Sequence, residues 1–118
     1  MGRVFVAGSI NMDVVATAER HPKVGETVAA KNADLGVLVC GSGIGISIAA
    51  NRNPKVRAAL AHDVTSAKFA REHNDANVVA FGQRLIGPET AREALKVFLA
   101  TEFSGGRHVG RVAKLSKG

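Results

Sequence analysis

Residues 35–40 (Leu-Gly-Val-Leu-Val-Cys) form an unbroken apolar run, and Gly41-Ser42-Gly43-Ile44-Gly45 follows it at once. A run this short and this uniformly apolar predicts a strand covered on both faces, which demands layers above and below it. The glycines predict a tight turn, and residues 46–51 (Ile-Ser-Ile-Ala-Ala-Asn) carry a helical pattern that stops near Asn53-Pro54. The alternation then repeats. Residues 56–61 are the next strand candidate, Asp63 is placed to cap a helix running to about Glu72, and residues 77–81 are another strand. Gly87-Pro88 opens a helix in which Ala91, Ala94, Leu95, Phe98 and Leu99 share one face. Strand, helix, strand, helix, strand, helix predicts an α/β fold, a Rossmann-like parallel sheet with flanking helices. In such sheets ligands collect at the carboxyl ends of the strands.

The amino-terminal part is less regular. Residues 3–7 read as a short buried strand ended by Gly8-Ser9, while Val14-Val15-Ala16 and Thr27-Val28-Ala29 are further strand candidates around a turn at His21–Gly25. The character changes near Lys31-Asn32.

A length of 118 residues suits one domain, and 46% hydrophobic content argues against disorder. No stretch approaches the about 20 apolar residues of a membrane span. The short apolar run after Arg3 ends at Asn11 and Asp13, which makes a poor signal peptide. Cys40 is the sole cysteine, so an intramolecular disulfide and a Cys-rich zinc centre are excluded and a cytoplasmic setting is expected. The absence of Trp and Tyr weighs against a base-stacking surface for single strands. The net charge is +6, and residues 104–118 hold Arg107, Arg111, Lys114 and Lys117 with no acid. That asymmetry fits a localised anion site better than a nucleic-acid footprint. Neither nucleic acid nor a membrane is expected as a partner.

Cys40 ends a strand just before a glycine-rich turn and a helix start. Exposed N–H groups and the helix dipole there favour an anion, either a thiolate or a developing oxyanion. The competing reading is an inert buried thiol beside glycines that only permit close packing. The glycine spacing matches neither the dinucleotide fingerprint nor a P-loop. His73, in the polar connection His73-Asn74-Asp75, is a candidate acid or base, against the plainer role of a solvated or helix-capping residue. Arg107, Arg111 and Lys114 share a face if the tail is helical, and paired arginines suit phosphate oxygens. His62-Asp63 and His108 are lesser candidates.

From about Ala33 to Lys114 the chain closely resembles the ribose-5-phosphate isomerase B family, which includes the galactose-6-phosphate isomerase subunits. The stretches that carry the resemblance are 33–45, 47–51, Val56-Arg57-Ala58-Ala59-Leu60, Ser66-Ala67-Lys68, Arg71-Glu72-His73-Asn74-Asp75-Ala76-Asn77-Val78, Gly87-Pro88-Glu89 and Gly105-Gly106-Arg107-His108. The resemblance implies an aldose–ketose isomerase, converting ribose 5-phosphate to ribulose 5-phosphate through a cis-enediolate. By the same resemblance Cys40 is the base, Ser42 and the backbone of Gly41, Gly43 and Gly45 stabilise the enediolate, and His73 assists ring opening. Ser47 and Asn74 bind the sugar, and Arg107 and Arg111 grip the phosphate. No metal or organic cofactor is implied. The site is expected between the subunits of a homodimer.

Residues 4–13 and 22–28 instead look like the opening of a ribokinase-type sugar kinase, in which an Asn and an Asp like Asn11 and Asp13 hold sugar hydroxyls. No nucleotide domain or catalytic-base motif follows, and phosphoryl transfer needs both. The expectation is a chimera: a kinase-like segment at 1–32 lending one edge strand at Val4–Ala7, and an isomerase-like domain at 33–118, truncated relative to the family. The family's Asp-His pair after its first strand is replaced by Gly8-Ser9-Ile10-Asn11. The rival expectation is therefore a catalytically impaired remnant that binds sugar phosphate or is only structural.

Overall fold

The computed structural model describes residues 4–7, by backbone alone, and residues 34–115. The described elements in chain order are β1 (Val4–Ala7), β2 (Leu35–Cys40), α1 (Ile44–Asn51), β3 (Ala58–Leu60), α2 (Val64–Glu72), β4 (Val78–Gly82), α3 (Pro88–Ala100) and α4 (His108–Leu115). The strands form one parallel sheet in the order β1-β2-β4-β3. This is the Rossmann-like α/β architecture that the alternation predicts. The candidate strands at 14–16 and 27–29, and Asn11 and Asp13, lie outside the described residues.

Alternation along the central strands builds two cores. Val37 and Val39 of β2 and Val79 and Phe81 of β4 point to one face, where they meet Ala67 and Ala70 of α2 and Ala94 and Phe98 of α3. Leu38, Val78 and Ala80 point to the other face and meet Ala50 of α1 and Val56. Every residue of β4 is buried, which is why β2 and β4 read as continuous apolar runs rather than alternating ones. No helix among the described residues is long and apolar enough to cross a membrane.

Local chemistry sets the boundaries. Asp63 caps α2 as expected: the Ser66 N–H donates to Asp63 Oδ1 at 2.6 Å, and the Asp63 N–H donates back to Ser66 Oγ at 3.3 Å. Helix α1 begins at Ile44, two residues before the sequence pattern suggests, because Gly43 takes a left-handed conformation and turns the chain early. Strand β3 is shorter than the expected 56–61. The Arg57 N–H donates to the side chain of Asn77 at 2.8 Å, and the Arg57 carbonyl accepts from the Asn77 and Val78 N–H groups. At the outer edge Asn51 acts as a substitute strand: the Ala58 N–H donates to Asn51 Oδ1 at 2.7 Å, and Asn51 Nδ2 donates to the Ala58 carbonyl at 2.9 Å.

Candidate active site

Cys40 is the last residue of β2 and stands level with Gly82, the last of β4. Two loops meet here at the carboxyl ends of the strands. The Gln83 N–H donates to the Cys40 carbonyl and the Arg84 N–H to the Gly41 carbonyl, both at 2.9 Å. Gly43 has φ +77°, and a β-carbon there would stand 2.5 Å from Leu60 Cδ1 and 2.9 Å from the Phe81 carbonyl carbon. A β-carbon at Gly82 would collide with the Ser42 backbone. Only glycines allow this crossing.

The turn aims donors at the sulfur, and the Gly43 N–H donates to Cys40 Sγ at 3.1 Å. Burial, the largest single influence, raises the thiol pKa. The N–H groups of Ile46, Gly43, Ser42 and Gly45 together outweigh it, so the thiol lies below its ordinary 9.0. Ser42 Oγ accepts the Ile44 N–H at 3.2 Å. Ser47 is buried, its hydroxyl donating to the Ile44 carbonyl at 2.8 Å. Gly41 is half-buried and Gly45 exposed. The arrangement can hold a thiolate beside hydrogen-bond donors, the requirement for taking a proton from carbon and stabilising an adjacent oxyanion.

Arg84 belongs to this cluster although sequence reasoning passed over it. A β-carbon at Gly41 would lie 3.6 Å from both Cζ and Nε of Arg84, so the guanidinium covers the first glycine of the turn. The available signal was positional: Arg84 comes two residues after a buried strand, on the rim where ligands gather.

His73, Asn74, Arg107 and Arg111 occupy the other end of the sheet. His73 caps the end of α2, its N–H donating to the Phe69 carbonyl at 2.9 Å. Its ring stacks on Phe69 and on His108, each with centroids 4.5 Å apart and planes 14° from parallel. Its Nε2 lies 3.4 Å from Glu72 Oε1. Asn74 is exposed and lines a cavity of about 660 Å³ together with Arg52, Arg57 and Leu115. Asp75, at φ +47°, is clamped between Arg57 at 3.2 Å and Arg71 at 3.0 Å, which fixes the bend after Asn74. Arg107 and Arg111 are exposed beside the buried His108. Among the described residues no three His, Cys, Asp or Glu side chains gather as a metal site.

The candidates thus form two groups. His73 and Asn74 precede the first residue of β4, whereas Cys40 stands level with its last. At about 3.3 Å per residue the strand holds them roughly 13 Å or more apart. The cavity beside Asn74 is likewise away from Cys40. One chain does not bring the sulfur and the imidazole together.

The family described as Ribose/Galactose Isomerase matches residues 4–115. The chain belongs to that family. The match takes in most of the segment that the sequence likened to a sugar kinase. Ribose-5-phosphate isomerase B of Escherichia coli is 43% identical over 94 residues, covering 80% of this chain and 63% of that protein. The D-erythrulose-4-phosphate isomerase of Pectobacterium atrosepticum is 48% identical over 80 residues, covering 68% of this chain and 53% of that one. The type B ribose 5-phosphate isomerase of Trypanosoma brucei superposes with a TM-score of 0.84 at 36% identity, covering 99% of both chains. The chain therefore spans less than two thirds of the length of the two curated relatives.

Proposed function

We propose that the protein isomerises a phosphorylated aldose to its ketose, with ribose 5-phosphate and ribulose 5-phosphate as the pair and a cis-enediolate between them. The observation that carries this reading is the Cys40 sulfur, held by the Gly43 N–H at 3.1 Å with its pKa below the ordinary value. In the open-chain sugar the thiolate takes the proton from C2, and the C2 electron pair moves into the C1–C2 bond to leave the negative charge on the C1 oxygen. The C2 hydroxyl proton then passes to the C1 oxygen, and the enediolate collapses to the C2 carbonyl as the thiol returns its proton to C1 and is again a thiolate. No external oxidant or reductant is consumed. Ser42 and the backbone donors of Gly41, Gly43 and Gly45 face the developing oxyanion. Ser47, through its bond to Ile44, steadies the first turn of α1.

His73 opens the furanose ring, Asn74 holds the sugar, and Arg107 and Arg111 grip the phosphate. Because these stand at the opposite end of the sheet, the complete site joins Cys40 of one copy to His73 of a second in a homodimer. The exposed face of α1 supports that assembly: Ile44 is 49% and Ile48 63% exposed, adjacent to the Cys40 turn. Residues 33–118 make the isomerase unit, and the head contributes the strand β1. The kinase-like wording of residues 1–30 carries no phosphoryl transfer in this reading. A reducing cytoplasm suits a lone thiolate base.

The test is conversion of ribose 5-phosphate by the wild-type protein and by Cys40→Ala. A loss of at least a hundredfold in kcat is expected, within the range for a general base. Equal rates would remove Cys40 from the chemistry.

A further inference from the structure

We propose that His108 is a positioning residue for His73, its ring holding the plane of the imidazole that opens the sugar. This rests on the reading of His73 as the ring-opening group. Two observations carry it. The first is the column itself: Phe69 and His108 each lie 4.5 Å from the His73 ring and nearly parallel to it. Two rings cannot share one face at that distance, so both faces of His73 are covered. The second torsion of a histidine is otherwise broad. With both faces covered, rotation about that bond must part the stack, and only the ring edge stays open to a substrate.

The second observation is the placement of His108. It is the buried residue of α4, 9% exposed, between the exposed Arg107 and Val109. Gly105 and Gly106, at φ +66° and +56°, swing the chain so that this one side chain points inward. The Ser104 N–H fastens the approach by donating to the Glu72 carbonyl at 3.0 Å, next to His73. The apolar core does not account for a polar ring at that point, whereas the stack does.

The experiment compares His108→Ala and His108→Phe with the wild type. It measures kcat and KM on ribose 5-phosphate, the melting temperature, and the His73 ring protons by NMR in the ligand-free protein. A flat ring suffices if stacking is what matters. His108→Ala is therefore expected to lower kcat at least tenfold and to shift the His73 ring signals, while His108→Phe restores kcat to within about threefold and keeps those signals upfield. An unchanged kcat in His108→Ala overturns the proposal. So does a rise in KM alone, which reports only a displaced Arg107 and Arg111, or a His108→Phe as impaired as His108→Ala with its melting temperature intact. If the wild type turns over no sugar phosphate, the function proposed above fails. The NMR comparison still judges the stack, and unmoved His73 signals in His108→Ala overturn it.

Discussion

The Gly43 N–H lies 3.1 Å from the sulfur of Cys40, so the residue that turns the chain into α1 also stabilises charge on the thiol. A thiol lowered from 9.0 by backbone donors keeps that property only while the turn is folded. Alkylation by iodoacetamide is expected to follow pH with a midpoint below 9.0 in the native protein, returning toward 9.0 in urea. The sign for stability follows: the unfolded thiol binds its proton more tightly, so Cys40 favours the fold increasingly as pH rises toward 9.0 and loses that contribution as pH falls through the native value. Identical midpoints in native and unfolded protein would contradict the hydrogen-bond geometry.

Gly43→Ala is expected to be among the more damaging small substitutions in the chain. Its β-carbon would meet Leu60 Cδ1 at 2.5 Å and main-chain Phe81 at 2.9 Å, at a φ of +77°. Overpacking and left-handed strain together predict a loss of about 2–4 kcal/mol. Urea denaturation measures this, and the alkylation midpoint should move upward with it.

A site shared between two copies makes a prediction that a single-chain site does not. Cys40→Ala and His73→Ala should each be inactive, yet unfolding and refolding them together should recover activity. Random pairing makes half the dimers mixed, each with one intact site of two, so about a quarter of the wild-type rate is expected. No recovery, with dimers confirmed by light scattering, rules out the shared site.

His108 links acidity to the docking of α4. Burial first, then the charges of His73, Arg107 and Arg111, hold its pKa below 6.5, with Glu72 opposing. The unfolded ring therefore binds a proton first, and stability is full above 6.5 and declines as pH falls through that value toward the lower native one. The melting temperature of the wild type should drop between pH 7 and pH 5 by more than that of His108→Phe, which keeps the ring without the charge. Parallel curves would show that His108 does not carry the effect.

Asn51 closes the edge of β3 by bonding both polar groups of Ala58, at 2.7 and 2.9 Å. The site is exposed, so water can replace part of what Asn51→Ala removes, and a loss of about 1 kcal/mol is expected. The freed edge should also raise concentration-dependent association, measured by light scattering, because an open strand edge recruits other strands.

Much of this protein was legible in its sequence because the signals were local. The apolar runs at Leu35–Cys40 and Val78–Gly82 needed no context to read as buried strands, and Asp63 with Ser66 wrote the start of α2 within a single turn. Cys40 before Gly41-Ser42-Gly43 likewise placed backbone donors around the thiol, since the N–H groups that lower its pKa come from the residues that follow it. What depends on contacts distant in sequence was not legible there. Arg84 lies over Gly41 only because β2 and β4 are neighbours, and Asn51 closes the edge of β3 through bonds across seven positions. The stack of His108 on His73 joins two helices through a glycine hinge. The largest decision left to the tertiary structure was distance. Parallel strands put chain segments entering and leaving β4 at opposite ends of the sheet, so Cys40 and His73, adjacent in chemical logic, are separated by a strand's length in one molecule. Residue types set what each group can do, while packing set which groups share a pole.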